Sequence, residues 1–309
     1  MKFIKYICVL LLLSKVSFAQ QDPQYSQYMF NQLVINPAYS GSKQALSTVI
    51  DLRKQWTSMP GSPQTGSISM HGLVFNSLGI GGHLVAEGIG PTTWIAAYAD
   101  LAYHFKIGNG KLSLGVSGGM VNYSINTAKL DYKDGSEPML NYTGARTVFD
   151  VSAGFYYYSR SFFMGGSATH ISAPTLYKDV NLSNTPQTSG MAFNLQPHYF
   201  VYAGKGFTIN DNLVFSPSVM LKAIKLNNYS ADINLNFLIK NRVWVGVSGR
   251  LMYGIVGLVQ VYVTDRFKVG YAYDQGLNKI GAQGQGSHEV MLSYDFNTFK
   301  SKMLSPRYL

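Results

Sequence analysis

From Ala45 to Phe296 the chain divides into segments about ten residues long in which apolar and polar side chains alternate. A period of two puts successive side chains on opposite faces of an extended strand. Ten residues is also about the length of a tilted strand that crosses a bilayer. Fourteen segments follow this pattern: 45–56, 65–75, 78–87, 92–106, 111–123, 146–158, 162–171, 193–203, 212–224, 229–239, 242–252, 255–264, 267–275 and 287–296. In 229–239, Ile233, Leu235, Phe237 and Ile239 oppose Asp232, Asn234 and Asn236. In 287–296, Val290, Leu292, Tyr294 and Phe296 oppose Glu289, Ser293 and Asp295. In 92–106, Ile95, Ala97, Ala99, Leu101, Tyr103 and Phe105 oppose Asp100 and His104.

A soluble β-sandwich also alternates, so the decision rests on what the polar face is made of. Here it carries Gly, Ser and Asn and few Lys or Glu, although charge normally accumulates on soluble surfaces. Charged residues make up 13% of the chain against roughly 25% in soluble domains, while aromatics reach 14%, with 22 Tyr. No stretch after the leader is long and apolar enough for a transmembrane helix. An all-β transmembrane barrel of about 14 antiparallel strands is therefore expected, apolar side to lipid and polar side to lumen.

The connections are expected to alternate strictly between long and short. Long ones follow odd strands at 57–64, 124–145, 172–192 and 276–286. Short ones follow even strands at Asn76-Ser77, Gly108-Asn109-Gly110, Ser159-Arg160-Ser161, Lys240-Asn241 and Asp265-Arg266, with 204–211 the longest. Asn109-Gly110 is a type I′ hairpin signal. Bacterial barrels have short periplasmic turns and long external loops, and an even strand count brings both termini to the periplasmic side. No repeat or linker divides the barrel, so 45–296 reads as one domain.

Residues 1–19 read as an export signal: Lys2 and Lys5, an apolar run at 7–13, and the small-x-small site Ser17-Phe18-Ala19. The single cysteine, Cys8, lies within it, so the exported chain has no thiol chemistry, disulfide or cysteine-based metal site. Removing Lys2, Lys5 and Lys15 lowers the formal charge from +10 to +7. No Lys/Arg cluster with interleaved aromatics suggests a nucleic-acid groove, and no nucleic-acid partner is expected.

Residues 20–44 follow neither period. They are aromatic at Tyr25, Tyr28, Phe30 and Tyr39, rich in amides, and carry the acid Asp22. Too apolar for a linker and too irregular for a surface helix, this segment is expected to plug the barrel, entering from the periplasmic side. Its runs Asp22-Pro23-Gln24-Tyr25-Ser26-Gln27-Tyr28-Met29-Phe30-Asn31 and Asn36-Pro37-Ala38-Tyr39-Ser40-Gly41-Ser42 closely resemble the opening of mature PorP/SprF proteins. These are outer-membrane components of type IX secretion and gliding machinery. The triplet Asn36-Pro37-Ala38 is also similar to the amino-terminal hatch of the fatty-acid-transporter barrels.

No catalytic residue, metal site or cofactor is expected. The histidines His71, His83, His104, His170, His198 and His288 have no close metal-ligand spacing, no Ser stands in a nucleophile elbow, and Gly79-Ile80-Gly81-Gly82 lacks the ending of a phosphate loop. His71, His83 and His104 share polar-face parity with Glu87 and Asp100, which reads more readily as an interior network against the plug than as a metal or proton-handling site. The lumen set also includes Asp51, Arg53, Arg146, Asp150, Lys222, Asp232, Arg250, Glu289 and Asp295. Trp56, Trp94 and Trp244 are assigned to interfacial girdles. Residues 297–309 form a basic tail in which Lys300, Lys302 and Arg307 are candidate contacts for a periplasmic partner.

The resemblance implies a non-enzymatic role in exporting or anchoring cargo adhesins. Its expected partners are outer-membrane lipid, the secreted adhesin, and periplasmic and outer-membrane components of the secretion system. The competing readings are a plugged channel or transporter for hydrophobic or small solutes and, less favoured, a barrel enzyme.

Overall fold

The structure is a computed structural model that describes residues 23–43, 45–129, 145–177, 193–225, 228–251, 253–278, 281 and 283–296. The strands are β1 Leu46–Lys54, β2 Gln64–Val74, β3 Leu78–Ile89, β4 Thr92–Ile107, β5 Gly110–Ile125, β6 Ala145–Tyr158 and β7 Phe162–Thr169. A two-stranded ribbon, β8 Thr175–Tyr177 and β9 Phe193–Asn194, stands apart from the main sheet. The wall resumes with β10 His198–Lys205, β11 Phe207–Asn210, β12 Leu213–Ile224, β13 Asn228–Ile239, β14 Val243–Arg250, β15 Gly254–Tyr262, β16 Phe267–Gly276 and β17 Ser287–Phe296. Neighbours pair antiparallel throughout. β1 pairs with both β2 and β17, and β10 with both β7 and β12, which closes the sheet on itself. Since β10 and β11 form one wall strand broken at Gly206, the result is a closed 14-strand barrel.

The alternation in the sequence is the alternation of the wall. On β13, Ile233 is 59% exposed while Asn234 is fully buried, and Leu235, Phe237 and Ile239 face outward against inward Asp232 and Asn236. The same division holds on β4 and β17. Among the described residues no helix is long and apolar enough to cross a membrane; the crossing is made by strands.

Four expectations need correction. The eighth wall strand begins at His198 and continues through Phe207–Asn210, so most of the supposed 204–211 turn is strand. Gly204 and Gly206 interrupted the apolar pattern there. The connections do not alternate strictly, because β3–β4, β12–β13 and β14–β15 are also joined tightly, the first through Gly90 at φ 55° and Pro91. All the long connections do emerge at one end. Between β4 and β5, Ile107 pairs with Gly110, and it is Gly108, at φ 56°, that supplies the left-handed turn position. Finally, Trp94 and Trp244 are not girdle residues. Trp244 is 4% exposed and packs inward on Phe30 at 5.9 Å, while Trp94 packs beside the buried Leu176 and Leu195. The outward rings at the short-turn end include Tyr103, Phe105, Phe207, Phe237, Tyr294 and Phe296.

Candidate functional site: the leading segment inside the barrel

Residues 23–43 lie against the inward face of the wall and descend from the long-loop end to the short-turn end before joining β1. The head of the segment is tied to groups near the loop end of the strands. Glu289 accepts from the backbone N–H groups of Ser26 and Gln27, both at 2.7 Å. Ser26 Oγ donates to Asp274 at 2.7 Å and accepts from Arg53 Nη1 at 2.7 Å. Arg53 itself spans Glu289 at 2.9 Å and Asp274 at 2.6 Å. Arg250 donates to Gln24 Oε1 at 3.0 Å and to the Tyr25 carbonyl at 3.2 Å, and lies 3.4 Å from Asp232, which also receives Lys222 at 2.6 Å. The segment joins β1 at the short-turn end, the side from which entry was expected, and its leading residues reach up to the loop end.

Farther down, Asn234 donates to Tyr28 Oη at 2.6 Å, Ser69 to Asn31 Oδ1 at 3.0 Å, and Asn236 to the Met29 sulfur at 3.2 Å. The segment then turns in two short 3₁₀ elements, Gln32–Val34 and Pro37–Tyr39. Asn36 caps the second: its Oδ1 accepts from the Ala38 N–H at 3.0 Å, with Pro37 at the first helical position, where no N–H is needed. The Asn36 amide also donates to the Phe155 carbonyl at 2.9 Å and to Tyr202 Oη at 3.0 Å. Asn36 is fully buried. Below it, the Gly41 N–H donates to His71 Nδ1 at 3.0 Å, and His104 Nε2 donates to the Ser40 carbonyl at 2.8 Å. These two bonds set each ring's tautomer, leaving the His104 Nδ1 to accept from Tyr158 Oη at 3.2 Å.

Wall glycines let the segment lie this close. A Cβ on Gly115 would fall on the Ala38 backbone, one on Gly154 on Asn36 Oδ1, one on Gly79 on the Ser40 carbonyl, and one on Gly270 on Gln27 Oε1. Tyr25, Tyr28, Met29, Leu33, Ile35, Ala38 and Tyr39 are buried together with inward rings of the wall, among them Tyr156, Tyr158, Phe163 and Tyr202. Burial pushes the phenols of Tyr25, Tyr28 and Tyr39 well above their usual range, so each is neutral.

The expected lumen residues fall into separate groups. Arg53, Asp232 and Arg250 meet at the head of the segment, and Asp51 is buried on the same inward face. His71 and His104 hold residues 40–41. His83 instead contacts Asp100 at 2.9 Å and stacks on Tyr98, at 4.8 Å between centroids. Glu87 accepts from Thr65 at 2.8 Å. Asp150 gathers Tyr98 at 2.8 Å, His170 at 2.6 Å and Ser172 at 2.9 Å. Arg146 stands apart: at the loop-end start of β6 it is exposed, because the strand extends beyond the packed lumen there. Lys300, Lys302 and Arg307 lie outside the described residues. The sequence reading missed Asp274, although inward parity with Gly270 and Ala272 marks it. Among the described residues no group of three or more His, Cys, Asp or Glu could hold a metal ion.

A second element enters from the loop end. The β8–β9 ribbon buries Leu176 and Leu195 against inward-facing Ala96 and Val121, with Trp94, Tyr98, Tyr123 and Val148 around them. The interior is thus occupied by the leading segment and, near the mouth, by the described stretches 170–177 and 193–197.

A family model described as type IX secretion system membrane protein PorP/SprF matches residues 17–294. No curated protein matches in sequence. Solved structures with a similar fold include the Ralstonia pickettii toluene transporter TbuX, at TM-score 0.50 and 11% identity over 85% of this chain and 92% of that chain. They also include the Pseudomonas putida toluene transporter TodX (0.49, 11%, 86% and 94%) and the Acinetobacter baumannii outer membrane protein Omp33 (0.45, 8%, 82% and 99%).

Proposed function

The chain belongs to the PorP/SprF family of type IX secretion system membrane proteins, and on that premise we propose that it is a non-enzymatic outer-membrane platform that assists export or surface attachment of cargo adhesins. In this reading residues 23–43 are a plug that keeps the lumen shut, the long connections at one end hold cargo, and the tail with Lys300, Lys302 and Arg307 meets periplasmic components. The observation that carries the reading is the anchoring of the leading segment along the height of the wall, from Gln24 on Arg250 to Gly41 on His71. A segment meant to open readily would not be hydrogen-bonded to buried wall charges and held by a capped turn at once. Gene deletion followed by a survey of surface proteins tests it. Loss of a large secreted adhesin with solute uptake intact supports the platform. Unchanged secretion with lost uptake would replace it by the plugged transporter, which the inward ring cluster of Tyr156, Tyr158, Phe163 and Tyr202 favours as a path for apolar solutes.

A further inference from the structure

Outside the barrel, near the loop end, four polar side chains stand in one lateral row across four strands. Gln64 on β2 pairs with Lys54 on β1, Lys54 with His288 on β17, and His288 with Tyr273 on β16. All are outward by strand parity. Among the described residues, no other outward-facing strand position in this half of the wall carries Lys, Arg, His, Asp or Glu. The row therefore marks the upper border of the apolar belt, and it is cationic without a compensating acid.

Two residue pairs below it, at the next outward position, the wall is hollowed. Gly66 pairs with Leu52 on one side and Ala86 on the other, and Leu52 pairs with Val290. The missing side chain opens a groove of about 410 Å³ lined by Leu52, Lys54, Gln64, Gly66, His288 and Val290. Its floor is apolar and its upper rim is Lys54, Gln64 and His288. Tyr271 Oη lies 2.6 Å from His288 Nδ1; with the hydroxyl donating, the ring keeps its proton on Nε2 and retains a donor. An ammonium, an amide and an imidazole N–H side by side suit phosphate oxygens. An apolar trough directly beneath them, at bilayer depth, suits an acyl chain rather than a soluble anion.

We propose that this groove is a binding site for one anionic lipid, with the headgroup phosphate on Lys54, Gln64 and His288 and an acyl chain over Gly66. The site is independent of the secretory reading. The test is native mass spectrometry of the mature barrel in detergent with added dioleoyl phosphatidylglycerol. The wild type retains one lipid, and Lys54→Gln lowers the retained fraction about tenfold, as loss of one charge-assisted hydrogen bond implies. Gly66→Leu lowers it comparably with every charge in place. A Cβ at Gly66 meets only Leu52 Cδ2, at 3.4 Å, so the wall accepts a side chain there, and unchanged barrel migration on gels checks that the variant folds. Retention equal to wild type in both variants, equal retention of uncharged dioleoylglycerol, or displacement of the lipid by inorganic phosphate would each overturn the proposal.

Discussion

Arg53 on β1 and Asp274 on β16 meet at 2.6 Å although β17 lies between their strands, and both side chains are fully buried. The guanidinium reaches across the intervening strand because Glu289 of β17 takes its other nitrogen at 2.9 Å, with Ser26 of the leading segment seated between the two carboxylates. Such a pair adds little net stability over an apolar substitute, yet removing one partner strands the other charge in a dry site.

Arg53→Ala is accordingly expected to destabilise the barrel by about 3–5 kcal/mol, read as urea unfolding of the refolded protein in lipid vesicles. Arg53→Met combined with Glu289→Gln should restore part of that loss, because it removes one cation and one anion together and leaves Asp274 to Arg250.

Gly115→Val should drive the leading segment off the wall, since the first added carbon already falls on the Ala38 backbone. The expected outcome is a rise in single-channel conductance in planar bilayers with barrel migration on gels unchanged. Gly118→Val is the control: its Cβ meets Phe149 at 3.5 Å, an ordinary contact, and conductance should stay at the wild-type level.

Asn36→Ala removes the cap of the Pro37–Tyr39 turn and the donor to Tyr202. A cost of about 1–3 kcal/mol to the seating of the segment is expected. A cysteine placed at Gln24, with Cys8, the chain's one cysteine, replaced by serine, should react faster with a water-soluble maleimide in this variant.

Ile233→Lys, near the middle of the outward face of β13, should cost about 2–4 kcal/mol in vesicle unfolding, as cations do at the bilayer midplane. Asn234→Ser, one residue away and inward, should leave the barrel folded while weakening the hold on Tyr28 and the bonds to Ser218 and Ser248.

The wall was legible because each strand has one face for lipid and one for lumen, so period two survives along nearly every segment. Where glycines removed the contrast, at Gly204 and Gly206, the eighth strand was cut short. The tryptophans were misplaced because ring type marks a membrane boundary only when parity agrees. Trp94 and Trp244 share the inward face, and a filled interior gives them apolar neighbours. The segment at 23–43 was legible as something packed, from its rings and amides. How far its head reaches was not, because that depends on which wall carboxylates it meets. Nothing local to Arg53 announces Asp274, a partner fixed only by register across three strands.

Ser26 and Glu289 are separated by 263 residues of sequence. The leading segment, translated before the wall, thus waits for a partner on β17. Seating the interior and sealing the seam between β1 and β17 become a single late event in biogenesis, and a cylinder caught before it would carry its leading residues loose.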